Sequence, residues 1–334
     1  MTTRRVAVLA GGRSSEHEVS LASGASVAAG LRTAGHDVTA IEIGRDGVWR
    51  QDGEAVSVTL GAGLPGIDVV FPVLHGPFGE DGTVQGLLEC LDMPYVGAGV
   101  LASALCMNKV TFKQLMAEAG IPQVDYRAVA EGDYLSDPAA VQRCVHELDY
   151  PVFVKPARLG SSVGIARVAT AGDLDEALRT AFSHDSLAIV EAYAAGREIE
   201  CSVIGNGDPL ASEPGEIMLG AGEAGWYDYE AKYTPGAMQL DVPARVGADV
   251  RERVRELAVR TYVMAGCSGL ARVDFFVVAD GEVLVNELNT MPGFTETSVF
   301  GSLFAASGIA YPELLDRLVA LALERHEAER AHRY

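Results

Sequence analysis

A chain of 334 residues, 49% of them hydrophobic, is long enough for two or three domains and apolar enough to give each a core. Its 46 acidic against 26 basic residues leave a formal charge of −20, which disfavours nucleic acid and an anionic membrane as partners. It has no apolar run of about 18 residues, and its five scattered cysteines lack any CxxC spacing. That pattern argues against a disulfide frame or zinc site and predicts core or semi-buried thiols in a reducing compartment, the cytoplasm.

The first hundred residues alternate strand and helix. Arg4–Ala10 has the charged-then-apolar order of a secretory leader, but it is short and enters Gly11-Gly12 without a cleavage site, so it reads as the first strand. Val19–Leu31 has helical periodicity and stops near Gly35, and Val38–Ile43 is a second strand. Asp68–Leu74 is a continuous apolar run, as in a parallel strand covered on both faces; Gly82–Leu91 is helical and Pro94–Val96 a short strand. The pattern predicts a doubly wound α/β domain, residues 1–100, with ligands beyond the C-terminal ends of its strands. Two polar segments fall there, Gly11–Glu18 and His75–Gly82, and should face one crevice. Gly97-Ala-Gly99-Val-Leu-Ala102 matches GxGxxA but comes too late for the first βαβ turn, so a boundary turn is expected rather than a dinucleotide site.

A smaller α+β domain is expected over 101–192. Ser103–Ala119 reads as one helix ended by Gly120 and Pro122, and Asp137-Pro138 as the cap and first turn of another. Strands at Tyr150–Lys155 and Ile165–Val168 flank a small-residue loop, followed by a helix at Asp173–Phe182 and a strand at Leu187–Glu191. The remainder, 193–334, carries a strand at Glu198–Ile204, a Gly- and Tyr-rich loop at Gly215–Pro235, a helix at Asp249–Ala265 and an acidic hairpin.

That hairpin, Leu270–Asn289, turns at Asp280-Gly281. A two-residue turn there puts Asp274 opposite Glu287 and Arg272 opposite Asn289, all on one face. Facing carboxylates sit about 5 Å apart at Cβ and repel unless a positive charge lies between them. Two carboxylates and an amide oxygen suit a hard cation such as Mg²⁺; an ordinary hairpin with solvated acids is the rival. Arg272, on the same face, suits either an oxyanion or a plain salt bridge.

Other segments add donors. Leu159-Gly-Ser-Ser-Val-Gly164 lacks the GK[ST] of a Walker loop, yet its backbone and the Ser161 and Ser162 hydroxyls could line phosphate; a plain turn is the alternative. The chain has four lysines, Lys109, Lys113, Lys155 and Lys232, each a candidate point charge for phosphate. Glu191 leaves an apolar strand at a hinge-like connection where backbone could read a purine and Glu198 could take ribose, or where a surface hinge simply lies. Tyr227–Tyr233, with Lys232, reads as a lid or as an exposed loop.

Together these segments resemble the D-alanine–D-alanine ligases of the ATP-grasp superfamily over nearly the whole chain. The likeness rests on Gly11–Ser20, Leu74–Thr83, Ala102–Lys109, Val154–Gly164, Tyr227–Tyr233 and Asn286–Thr295. It implies an ATP-grasp fold, with ATP between the last two domains. It also implies ligation of two D-alanines through a D-alanyl phosphate, for peptidoglycan, cell-wall synthesis and cell shape. A relative joining other D-amino acids, or D-alanine to D-lactate or D-serine, is the alternative.

By the same resemblance Asp274, Glu287 and Asn289 hold Mg²⁺ or Mn²⁺, two ions with Glu287 between them. Lys109, Lys155 and Ser162 bind the phosphates of ATP. Glu191, with the backbone at Ala192 and Ala194, holds adenine, and Glu198 the ribose. Glu16, with His75 nearby, takes the first D-alanine, and Ser161 and Tyr233 complete a hydrogen-bond chain with Glu16. Arg272 and the Gly293 backbone face the oxyanion, Ser298 the second carboxylate, and Lys232 the transferred phosphate. The Lys232-Tyr233 lid goes with D-alanine as second substrate. Departures from the family pattern fall at His17, Glu296, Val299 and Phe300. A homodimer is implied.

Overall fold

Residues 2–219, 238–295 and 298–332 are described by the structure, a computed structural model. Three sheets carry it. The first contains β1 (Arg5–Gly11), β2 (Asp37–Ile43), β3 (Trp49–Gln51), β4 (Glu54–Ala55) and β5 (Val69–Pro72), in the order β4-β3-β2-β1-β5. β1 runs parallel to both β2 and β5 and is buried along six of its seven residues, which explains its unbroken apolar sequence. The β3–β4 hairpin at its edge was not legible as strand. Pro94–Val96 contributes only a bridge from Tyr95 to Val70.

The second sheet, antiparallel, contains β6 (Tyr126–Ala130), β7 (Val152–Pro156), β8 (Ala166–Val168) and β9 (Leu187–Ala192), in the order β6-β9-β7-β8. Val152 and Val154 face a core closed by the helices Pro138–Val145 and Leu174–Phe182. Period-2 alternation sends Phe153 and Lys155 to the other face. Asp137 caps the first of those helices, accepting from the Ala140 N–H at 2.9 Å. The expected single helix Ser103–Ala119 is two, Val100–Met107 and Lys109–Glu118. Asn108 breaks it: its backbone is extended and its side chain accepts from the N–H groups of Val110 and Thr111, capping a new helix that starts at Lys109.

The third sheet contains β10 (Gly196–Gly205), β11 (Leu210–Ala211), β12 (Gly215–Leu219), β13 (Met238–Asp241), β14 (Gly269–Val278) and β15 (Val283–Asn289). Its order is β13-β12-β10-β14-β15, with β11 on β10. The first residues of the expected long loop are thus the strand β12. Ile199, Cys201, Val273, Phe275 and Val285 face the helix Ala248–Met264, leaving the opposite face for polar side chains.

One core joins the two ends of the chain: Val6, Val8, Val27 and Leu31 pack with Phe294, Phe300, Phe304, Leu315 and Leu318. Arg325, on the helix Tyr311–Arg330, stacks over Tyr95 at 4.2 Å and donates to the Gly97 carbonyl at 2.5 Å. Gly97 has a packing reason: a Cβ on Gly269 would lie 3.0 Å from its backbone nitrogen, so the GxGxxA segment is a close backbone crossing that leads into a helix. The cysteine expectation is corrected at two positions. Cys106, Cys201 and Cys267 are buried, but Cys90 and Cys144 are exposed, on solvent-facing positions of short helices. No described helix is long and apolar enough to cross a membrane.

Candidate functional site

The polar face of the third sheet carries a row of acids. Glu200 on β10 pairs with Asp274 on β14, and Asp274 with Glu287 on β15. Glu200 and Asp274 are buried, so both need positive partners. Arg272, two residues before Asp274 on the same face, supplies one. Its Nε and Nη2 each donate to an Asp274 oxygen at 2.7 Å, and Nε lies 2.9 Å from Glu200 Oε2. Lys109, the first residue of its helix, donates to the Leu159 carbonyl at 2.7 Å and stands 3.5 Å from Glu287. Arg272 faces Asn289 across the ladder, and the Asn289 amide oxygen accepts from the Met291 N–H at 3.0 Å.

The row forms one wall of a cavity of about 530 Å³ between the second and third sheets. Lys109, Lys155, Ser161, Ser162, Glu191, Ala192, Ala194, Glu198, Asp274 and Glu287 all line it. Phe153, Ile165, Tyr193, Met218 and Phe276 give it apolar surface suited to a flat ring. On its floor Lys155 reaches Glu191 at 2.5 Å, and Lys113 reaches the other oxygen of Glu191 at 2.9 Å. Burial opposes charge on Glu191, but the two ammonium groups win and hold its carboxyl down at about 2. The Glu191 carboxylate is therefore committed to lysines, and the Ala192 N–H donates to the Asp125 carbonyl at 2.9 Å.

At the cavity mouth the loop after β7 meets the first sheet. Ser161 and Ser162 are left-handed, φ 49° and 57°, a conformation that costs a non-glycine residue roughly 1–2 kcal/mol. That conformation lets Ser161 Oγ donate to Glu16 Oε1 across 145 positions of sequence. Glu16 is buried just before the helix His17–Thr33. His75 is buried beside it; its Nδ1–H donates to the Met291 carbonyl at 2.9 Å, and burial keeps the ring below the usual histidine range. His17 Nδ1 lies 2.6 Å from the Gly12 carbonyl, away from this contact. A Cβ on Gly293 would stand 3.0 Å from Ser298 Oγ, which accepts from the Thr295 N–H at 2.9 Å. Lys232 and Tyr233, with the rest of 220–237, lie outside the described residues, as does Glu296.

Three members of the site carry no assigned role in the sequence reading. Glu80 sits within a polar segment that was flagged, and accepts from the Gly76 N–H at 2.8 Å. Burial first, then the Glu16 charge, pushes its carboxyl up to about 8. A Cβ on Gly160 would be 3.4 Å from Glu16 Oε2 and 3.9 Å from Glu80 Oε1, so the loop and both acids converge. Glu200 alternates with Glu198 along one strand, but its place beside Asp274 depends on a pairing across some seventy residues of chain that periodicity does not encode. Lys113 was visible as one of four lysines and lies one helical turn beyond Lys109, on the same side of its helix.

The donor set Asp274, Glu287 and Asn289 is all oxygen and includes two charges, which fits a hard divalent cation. Among the described residues no cluster of three acidic, histidine or cysteine side chains closes a cage. A Mg²⁺ that keeps water and phosphate oxygens in its shell needs none.

Both the sequence and the fold of the chain are similar to those of known proteins. The family profile "D-ala D-ala ligase C-terminus" matches residues 115–320, and "D-ala D-ala ligase N-terminus" matches 5–63 and 57–98. A D-alanine–D-alanine ligase of Deinococcus radiodurans is 47% identical, over 96% of this chain and 99% of its own length. Among solved structures, the D-alanine-D-alanine ligase of Coxiella burnetii superposes with a TM-score of 0.88 at 35% identity, covering 99% of this chain and 97% of that one. The VanG D-Ala:D-Ser ligase of Enterococcus faecalis superposes with a TM-score of 0.86 at 36% identity, covering 96% of this chain and all of its own.

Proposed function

The chain belongs to the D-alanine–D-alanine ligase family, an ATP-grasp family, and from that premise we propose how its residues perform the reaction. It is an ATP-dependent ligase that joins D-alanine to D-alanine for peptidoglycan synthesis. A carboxylate oxygen of the first D-alanine attacks the γ-phosphorus and ADP leaves. The amine of the second D-alanine then attacks the acyl carbon, loses a proton, and inorganic phosphate departs. Such steps need charge neutralisation and alignment more than covalent help from the protein.

The observation that carries the assignment of roles is the single polar wall on which Asp274 faces Glu287, with Lys109 and Lys155 along the same cavity. Lys109, Lys155 and Ser162 take the phosphates. Glu191, with the backbone at Ala192 and Ala194 and the apolar surface beside them, takes adenine, its carboxylate held in place by the two lysines, and Glu198 takes ribose. Asp274, Glu287 and Asn289 would hold Mg²⁺ or Mn²⁺, which when bound neutralises triphosphate charge. Glu16 takes the ammonium of the first D-alanine, oriented by Ser161, with His75 behind it. Arg272 and the Gly293 N–H stabilise the oxyanion, and Ser298 receives the second carboxylate. Lys232 and Tyr233 close over the phosphate and second substrate, which must be kept from water. The three-domain division at 100 and 192, a homodimer and a cytoplasmic location complete the reading.

The test is phosphate release from ATP that depends on D-alanine, with the product identified against a panel including D-serine and D-lactate. D-alanyl-D-alanine as the main product supports the reading. Phosphate released with a different ligation product corrects the second substrate, and no release overturns it.

A further inference from the structure

Glu191 poses an electrostatic problem that its neighbour solves. Lys155 lines the nucleotide cavity, yet its ammonium sits 2.5 Å from a buried carboxylate. An isolated pair of that kind is close to neutral, and a neutral pair attracts phosphate weakly. Lys113 changes the balance. It is 1% exposed, lies 2.9 Å from the other Glu191 oxygen, and does not line the cavity. Two ammonium groups around one carboxylate leave a net charge of +1 in a region shielded from water, where charges act over longer distances than in solvent.

The placement is specific. Phe153 on β7 and Tyr126 on β6 flank Glu191 in the sheet, and Lys155 stands two residues along β7 on the same face. Lys113 reaches down from the helix Lys109–Glu118 one turn behind Lys109, with its ammonium 5.8 Å from the Tyr126 ring. The Lys113 carbonyl accepts from the Gln123 amide at 2.8 Å, which fixes that turn of helix. A buried lysine is costly unless its charge is used or matched. The site needs only one lysine to neutralise Glu191, so the second is in excess as far as matching is concerned.

We propose that Lys113 is a positioning residue for nucleotide binding: by sharing Glu191 with Lys155 it keeps the buried triad at net +1, so that Lys155 presents positive charge to the phosphates of ATP. Lys113 touches no part of the nucleotide and acts through Glu191. The inference rests on the ATP-binding reading of the cavity.

The experiment compares ADP and adenosine binding to the full chain by calorimetry at one ionic strength. If the wild-type protein binds neither, the nucleotide reading of the cavity fails and takes the inference with it. Given wild-type binding, Lys113→Met should weaken ADP about tenfold or more while adenosine binding stays within about twofold. Lys113→Arg, which keeps the charge, should restore ADP affinity. The double variant Lys113→Met/Glu191→Gln returns the triad to net +1 through Lys155 alone and should restore the ratio of ADP to adenosine affinity that Lys113→Met loses, whatever the change at Glu191 does to adenine. It also serves where Lys113→Met does not fold. A structural pin would give a different pattern, in which ADP and adenosine weaken together and the double variant is worse than the single. That pattern, or unchanged ADP affinity in Lys113→Met, overturns the inference while leaving the function intact.

Discussion

Asp274 stands directly opposite Glu287 across β14 and β15, although the hairpin between them turns on three residues. An unbroken ladder from a two-residue turn at Asp280-Gly281 would give that register. The chain instead closes with the Val278 N–H donating to the Glu282 carbonyl at 3.0 Å and with Gly281 at φ 85°, a position suited to glycine. Continued regularly, that closure would face Asn286 to Asp274 and turn Glu287 toward the core. Val285 pairs with Phe275 while Glu287 pairs with Asp274, so Asn286 is a bulge that restores the carboxylate pair. Glu287→Gln keeps the bulge and the side-chain volume and removes one charge. Ligase turnover should fall by about 100-fold or more with the melting temperature little changed. Phosphate release titrated with Mg²⁺ checks it, and a normal Mg²⁺ dependence would remove Glu287 from the cation site.

The Ser161–Glu16 hydrogen bond is the contact that ties the loop after β7 to the first sheet. A hydrogen bond to a charged group contributes about 1.5–3 kcal/mol. Ser161→Ala should therefore raise the KM for D-alanine roughly ten- to hundredfold while leaving ADP affinity near wild type, since Lys109 and Lys155 are untouched. Steady-state kinetics with both substrates varied, together with ADP calorimetry, separate the two effects. A rise in the ATP constant alone would place Ser161 on phosphate.

Much of this site was legible because its residues act through local pattern. Asp274 and Glu287 alternate with core positions along strands, Asp137-Pro138 announces a helix, and the loop Leu159–Gly164 advertises its small residues. Where local pattern misled, a side chain or a backbone irregularity had the final word. Asn108 splits one helix by capping the next, and two deviations in the hairpin cancel. What stayed hidden was non-local. Glu200 reaches Asp274 through the β10–β14 pairing, and Glu80 meets Glu16 because two loops converge at the strand ends. Neither pairing has a sequence period, so burial and neighbouring charge reveal them only in three dimensions.

Arg272 holds two acids at once, Asp274 through a two-pronged contact and Glu200 along its Nε edge. Lysine carries the same charge but has one donor centre and cannot span both oxygens of Asp274. Arg272→Lys should keep the fold, because the buried acids retain a cation, while lowering kcat about 100-fold if the guanidinium also faces the oxyanion. ADP affinity should remain within a few-fold. Single-turnover phosphate release checks the assignment, and an unaltered kcat would confine Arg272 to charge matching.

Glu80 provides a pH signature. Burial and the neighbouring Glu16 and Glu287 charges raise its carboxyl from an ordinary 4.5 to about 8, against the Gly76 N–H and Lys109, which lower it. The folded protein therefore retains a proton that the unfolded chain releases. That contribution to stability is full below about pH 4.5 and is lost as pH rises to about 8. Glu80→Gln carries no titrating proton, and its amide oxygen can still accept from Gly76. Relative to wild type, the variant should gain stability as pH is raised across this window, by a few degrees in Tm at the alkaline end, with the two curves converging at the acidic end. Melting curves of both proteins over that range test it. A Tm difference that does not vary with pH would mean that Glu80 is ionised throughout, with Lys109 outweighing the burial.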